Sequence, residues 1–176
     1  MKKELIILLI LFSAFVTNLQ AVPLEWSVGN DHNHHYYAVI NIGAGIDWNS
    51  AKTEAEGLTL LGLNGWHLAT ITSSSESAFI TTLVAALDLD EQIFVGGFLN
   101  GSWQWVTSEP WSYTNWHATE PSGTGEDALA LKGKTWGYQW NDTPKENTLY
   151  WYVAEVPEPA TLLLLGLGGL MMRKRS

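Results

Sequence analysis

The chain has 176 residues, nine basic against eighteen acidic, a formal net charge of −9 and no cysteine. That length is one domain with segments to spare. The acidic balance argues against nucleic acid and anionic membrane surface as partners, since both are bound through cationic surface. With no disulfide to staple it, the fold has to rest on hydrophobic burial, and ten tryptophans, seven of them from Trp103 onward, supply much of the core.

In chain order, Met1-Lys2-Lys3, the uncharged apolar run 5–16 and the small residues ending at Ala21 read as a secretory signal peptide over 1–21. His35–Ile42 alternates and is rich in tyrosine and β-branched residues, which predicts a strand. Asp47 then reads as an N-cap before Trp48, Ala51, Ala55 and Leu58 at helical spacing. His67–Ile71 predicts a short strand. Ser73 with Glu76 forms a capping box that opens a second helix through Phe79, Ile80, Leu83, Val84 and Leu87. Gln92–Phe98 and Ser102–Val106 read as strands joined at Asn100-Gly101, a hairpin signal. From Ser108 to Gly125 the chain is rich in Pro, Gly, Ser and Thr, a long loop of the kind that carries function. Lys134–Asn141 and Thr148–Val156 are predicted to close the domain as strands, giving an α+β layout of two helices followed by short antiparallel strands.

The other end runs Val156-Pro157-Glu158-Pro159, a 13-residue apolar stretch from Ala160 to Met172, and Arg173-Lys174-Arg175. As a helix that stretch reaches roughly 20 Å against a hydrocarbon core of about 30 Å, a marginal anchor. The order of these three elements resembles the PEP-CTERM sorting signal of Gram-negative bacteria. The resemblance implies that 156–176 is a sorting segment with a short transmembrane stretch, held transiently in the inner membrane. It also implies processing by an exosortase near Pro157, Glu158 and Pro159, with release to the cell surface or an extracellular matrix. Five of the nine basic residues and one of the eighteen acids lie outside residues 22–159. Residues 22–159 therefore keep four against seventeen, about −13.

Within that acidic body, three runs of oxygen-bearing side chains sit close in sequence: Glu120-Pro121-Ser122, Glu126-Asp127 and Asn141-Asp142. Carboxylates crowded together repel unless a positive charge sits among them, and a hard cation that takes many oxygens, Ca²⁺ above all, fits that chemistry. Taken alone, such residues are most often solvated loop acids. His32, His34 and His35 fit no closed zinc spacing and read as polar side chains of a surface strand. His67 reads as a satisfied core histidine. Glu120 and Glu126 as a glycosidase pair would need a rigid cleft that a loop does not offer, and no nucleophile–base arrangement is evident, so an enzyme is not expected.

The order of elements from about Tyr36 to Glu155 resembles the C-type lectin domain, which would make 22–155 one such domain. The residues that carry the resemblance are Trp48 and Ala51, the stretch from Gly65 to Ile71, Ser74-Ser75-Glu76, and Phe94-Val95-Gly96-Gly97. Trp103-Gln104-Trp105, Tyr113-Thr114-Asn115-Trp116 before Glu120-Pro121, Trp140-Asn141-Asp142, and Tyr152-Val153-Ala154-Glu155 complete it. The family's disulfides are missing: Ala55, Ala128 and Ala154 stand where cysteines are expected, with Lys145 near the fourth place. The resemblance implies a Ca²⁺ site of Glu120, Ser122, Glu126, Asn141 and Asp142. It implies a carbohydrate site sharing Glu120, Ser122, Glu126 and Asn141, and a cis bond before Pro121. Ser122 departs from the mannose-type pattern, which has Asn there. Trp116 or Trp136 is the candidate ring for a sugar's apolar face. The expected function is Ca²⁺-dependent binding of a surface polysaccharide, with a protein-binding adhesion or matrix module as the alternative.

Overall fold

The computed structural model describes residues 22–29 and 31–157; the expected signal peptide and the sorting segment beyond Pro157, with its apolar stretch, lie outside them. Strands β1 (Leu24–Glu25) and β2 (Tyr36–Ile46) lead into helix α1 (Trp48–Glu56); β3 (His67–Leu68) leads into helix α2 (Ser74–Ala85). Then follow β4 (Ile93–Asn100), β5 (Ser102–Trp105), β6 (Ala128–Leu131), a 3₁₀ turn at Lys134–Trp136, β7 (Trp140–Thr143) and β8 (Leu149–Val156). The strands form one sheet in the order β1-β2-β8-β4-β6-β7, with β3 added to β8 and β5 to β4. All pairings are antiparallel except β4 with β8, which run parallel with Phe94 opposite Tyr152. The expected run of short antiparallel strands is thus joined by one parallel pairing: β8 is the last strand in sequence but lies between β2 and β4 in the middle of the sheet, while β1 stays at its edge.

Both caps form as their sequences predict. Asp47 accepts from the Ser50 backbone N–H at 2.9 Å, and Ser73 from the Glu76 N–H at 3.1 Å. The second box is not reciprocal, because the Glu76 carboxylate reaches one residue further back to the Thr72 N–H at 2.7 Å. Leu87 falls past the end of α2 and is exposed. The middle of the sheet is buried on both faces. Tyr37, Val39 and Val153 pack with Ile80 and Val84 of α2, while Ala38, Tyr152 and Ala154 pack with Trp48, Ala51 and Ala55 of α1. Successive residues of one strand thus serve opposite cores. Gly96 lets β4 pass under β3, since a Cβ there would meet the Leu68 carbonyl at 2.5 Å.

Three of the expected cysteine positions, Ala55, Ala128 and Ala154, are fully buried and lie in the α1-side core. At the fourth, Lys145 pairs with Asp127 (Nζ–Oδ2 3.0 Å) and lies over the Trp48 and Phe98 rings. Its backbone also closes the join, donating to Asp127 Oδ1 at 3.0 Å and accepting from the Trp48 N–H at 2.9 Å. An ion pair with cation–π cover thus ties together chain segments that a disulfide would otherwise link.

The predicted strand over Lys134–Asn141 does not form. Gly137 and Tyr138 both take positive φ (65° and 57°), which breaks an extended run. The strand pairing runs instead through Trp140–Thr143 and through Ala128–Leu131, which the periodicity did not single out. Those four residues are all buried, so their pattern is a continuous apolar run with no alternation to read.

Candidate functional site

The loop from Val106 to Asp127 is anchored along β7. Trp140 donates to Asn115 O at 2.8 Å and accepts from the His117 N–H at 2.9 Å, which fixes where Glu120 emerges. Trp103, Trp111, Tyr113 and Trp116 fill the space beneath, all packed on the core that holds Trp105 and Trp140. The Trp116 centroid lies 4.9 Å from that of Trp103 and 5.6 Å from that of Trp140, so much of this ring is committed to packing. The exposed indole of this region is Trp136, on the 3₁₀ turn, edge-to-face with His117 at 4.7 Å.

Glu120 and Pro121 are joined by a cis peptide bond. The turn after it is clasped by Asp142, whose two carboxylate oxygens accept from the Ser122 N–H at 2.9 and 3.0 Å. Glu126 folds back against Gly123, where a Cβ would stand 3.1 Å from its Oε2. Glu120, Ser122, Glu126 and Asp142 are therefore brought into one electrostatic neighbourhood. Asn141, next to Asp142 on β7, bonds Gln92 Oε1 at 3.3 Å and the Asp142 carbonyl. Alternation along the strand sends it to the other face from Asp142.

The charges in this group disturb one another. The Ser122 hydroxyl, then the Lys132 ammonium, hold the Glu120 carboxyl below the usual carboxylate range. Desolvation pushes Asp142 above it, with the Glu120 charge adding to the rise. Glu126 is raised as well, first by desolvation and then by the charges of Asp142 and Glu120. Burial is thus the larger cause for Asp142 and Glu126, and the charges of neighbouring acids add to it. Glu120 is 8% exposed at its side chain, and while its Oε1 takes the Lys132 ammonium at 2.9 Å, its Oε2 is buried without a hydrogen-bond partner among the described residues. Among those residues, no three acidic or histidine side chains stand close enough to chelate an ion as they are placed.

A second polar cluster went unread in the sequence. Glu76 and Glu155, both almost fully buried, are bridged by the Tyr37 hydroxyl, which donates to Glu76 Oε1 at 2.5 Å and lies 3.2 Å from Glu155 Oε1. His35 Nδ1 lies 2.6 Å from Glu155 Oε1, and Thr70 donates its N–H to Glu155 Oε2 (2.8 Å), with its hydroxyl between Glu109 Oε2 (2.7 Å) and Glu155 Oε2 (3.0 Å). Burial alone would lower the His35 ring's affinity for protons, but its bond to Glu155 and the charges of Glu155, Glu76 and Glu109 raise it. Glu76 is also raised, by desolvation and then by Glu155. His35 is thus part of an interior acid network and not a surface polar residue. The signal was available: Glu155 shares its strand face with Val153, and a carboxylate in such a position needs donors. His32 and His34 stay near the surface, with His34 paired to Glu25 at 2.9 Å. His67 is half-buried, its Nδ1 3.0 Å from the Leu68 carbonyl.

Set against known proteins, residues 62–152 match the family model of the Lectin C-type domain, and residues 155–175 that of the PEP-CTERM protein-sorting motif. The chain is 32% identical over 99 residues to human C-type lectin domain family 4 member D, covering 53% of this chain and 45% of that protein. It is 24% identical over 103 residues to a perlucin-like protein of Mytilus galloprovincialis, covering 56% and 62%. It therefore spans about half to six tenths of the length of these relatives. Among solved structures, the C-type lectin domain of murine dendritic cell inhibitory receptor 2, in complex with N-glycan, superposes with a TM-score of 0.57 at 27% identity. That match covers 70% of this chain and 91% of the other.

Proposed function

Because the chain belongs to the C-type lectin domain family, a family of binding proteins, and carries a PEP-CTERM sorting motif, we propose that it is an exported bacterial Ca²⁺-dependent carbohydrate-binding protein. The observation that carries this reading is the buried Glu120 Oε2, which has no donor among the described residues and lies beside Glu126 and Asp142, whose carboxyls desolvation and then the charges of neighbouring acids hold above the usual range. Glu120, Glu126 and Asp142, with the Ser122 hydroxyl, supply oxygen donors of the kind a hard cation takes; binding would draw them together, and the Asn141 amide would have to leave Gln92 to join them. Calcium held there would supply direct coordination for a pair of sugar hydroxyls. The protein's own part is to position that set: Asp142 fixes the Ser122 turn, Glu120 is held by the loop that runs along β7, and the sheet beneath keeps both in register. Trp136, exposed beside Glu120's lysine partner, offers a ring for the apolar face of a sugar. The N-glycan bound by the murine relative agrees with a glycan ligand.

The domain would comprise 22–155, between a signal peptide over 1–21 and a sorting segment over 156–176 that an exosortase processes. The precursor would be held in the inner membrane through that segment, with the domain delivered to the cell surface or matrix. No helix among the described residues is long and apolar enough to cross a membrane.

One observation favours a second reading: Lys132 already neutralises Glu120, as a module that binds protein without calcium would have it. Thermal melting in calcium against EDTA separates the two, followed by glycan binding under both conditions. A calcium-dependent rise in melting temperature that Asp142→Asn abolishes is the expected result. No shift in the parent chain would leave the adhesion or matrix module as the better account.

A further inference from the structure

We infer that Lys132 is a built-in counter-cation of the loop acids, one that Ca²⁺ must displace, so that this single side chain sets the calcium threshold of the site. The inference rests on the same set of acids as the proposed function, but it concerns which cation they hold. The Lys132 ammonium lies 2.9 Å from Glu120 Oε1, and both side chains are largely buried, at 15% and 8% exposure. It also lies over the Trp136 ring, 4.6 Å from the centroid, which gives the cation a second favourable surface. Its backbone is firmly placed: Lys132 donates to Gln139 O at 2.8 Å, and the next residue, Gly133, runs so close to Asp90 that a Cβ would stand 2.3 Å from its carbonyl carbon.

The other lysines of the described residues are engaged elsewhere, Lys52 with Glu56, Lys134 with Asp88 and Lys145 with Asp127. Lys132 is the lysine that faces these acids. A single charge is too little for Glu120, Glu126 and Asp142 together: the Asp142 charge still bears on Glu126, and Glu120 Oε2 lacks a partner among the described residues. The ammonium holds the site in a calcium-free form but leaves oxygens for which a divalent ion competes. Ammonium and Ca²⁺ cannot both sit against one carboxylate at contact distance without strong repulsion. Binding one therefore requires moving the other, and a long flexible lysine stem allows that movement.

The test is calcium titration by calorimetry on the full chain and on Lys132→Met, which keeps the length and removes the charge, with Lys132→Arg to keep it. Lys132→Met is expected to bind Ca²⁺ about tenfold tighter than the parent, a difference of about 1.4 kcal/mol, with Lys132→Arg close to the parent. Equal affinity of Lys132→Met and the parent overturns the inference while leaving the lectin reading intact. If the parent does not bind Ca²⁺ and Lys132→Met does, the inference stands and the lectin reading fails. If neither binds, both fail. A measurement on the parent chain avoids any dependence on variant folding: amine methylation followed by peptide mass spectrometry, with and without Ca²⁺. Calcium should speed labelling of Lys132 several-fold relative to Lys52, and an unchanged rate overturns the inference.

Discussion

Tyr37→Phe removes one oxygen from the buried acid network and nothing else. In the parent chain that hydroxyl donates to Glu76 Oε1 at 2.5 Å, lies 3.2 Å from Glu155 Oε1, and accepts from the Asn33 amide at 2.7 Å. A hydrogen bond to a charged group contributes about 1.5–3 kcal/mol. Both glutamate oxygens keep another neighbour, Asn33 at 3.3 Å and His35 at 2.6 Å, so the loss amounts to one strong bond and part of a second. We expect a cost of about 2–3 kcal/mol, which for a domain of this size lowers the melting temperature by roughly 8–12 °C. The cost should also depend on pH with a fixed sign. Tyr37 is one of the groups that lower the proton affinity of Glu76, which burial and then Glu155 raise. Without the hydroxyl, Glu76 binds its proton more tightly in the folded state. A folded-state pKa raised further favours folding below the unfolded value and loses that advantage as pH rises through the folded one. The variant should therefore lie closer to the parent at about pH 5 than at about pH 8. Urea unfolding at both pH values measures this directly. A cost below about 0.5 kcal/mol, or one that does not grow with pH, would refute the claim that this hydroxyl bridges the two carboxylates.

His35→Gln tests the same network from its cationic side. The folded His35 pKa is raised, so its stabilisation is complete below the unfolded value of about 6.5 and disappears as pH rises through the folded one. The parent should lose stability over that interval, and the variant should show a flatter profile of urea midpoint against pH. Lys145→Ala should cost about 1–2 kcal/mol, through a partly exposed ion pair and the cover of two aromatic rings, as read by denaturant unfolding. A neutral result would mean that the join where a disulfide is missing does not depend on this lysine. Trp136→Ala, at an exposed ring, should change stability by no more than about 0.5 kcal/mol. It should weaken glycan binding about tenfold, corresponding to a lost stacking contact of roughly 1 kcal/mol or more. Unimpaired binding on a glycan array would remove Trp136 from the proposed sugar surface.

How much of this fold could be read from its residues varies with the kind of signal. Both helix starts were legible because a cap is a local statement: Asp47 and Ser73 hold backbone donors within three residues of themselves. The hairpin at Asn100-Gly101 was legible for the same reason, and Gly101 adopts the positive φ that such a turn requires. The strand Ala128–Leu131 was not, because burial on both faces erases the alternation by which a strand is recognised. The false strand over Lys134–Asn141 failed for a different reason. Its aromatic residues favour extended backbone, but Gly137 and the chain around Asp90 impose a turn: Asp90 accepts from the Thr135 N–H and hydroxyl at 2.8 and 2.7 Å. Contacts across more than forty residues outweighed local preference there.

The candidate site divides along the same line. Acids declare themselves by type, so Glu120, Glu126 and Asp142 stand out in any reading of the loop, and the structure places their charges within reach of one another. Asn141 is equally visible, yet its place on β7 directs its amide to Gln92, which strand alternation predicts once Asp142 is assigned to the loop side. Lys132 was counted in the sequence only as one basic residue among four, because nothing nearby in the chain reveals that it faces Glu120, twelve residues earlier. That proximity arises from the sheet. β6 ends beside β7, the loop is bonded to β7 at Trp140, and the lysine leaving β6 meets the glutamate of the loop. A cation supplied by the fold itself changes what the acids mean: their crowding calls for a positive charge, Lys132 supplies one, and calcium would have to compete for a place already taken.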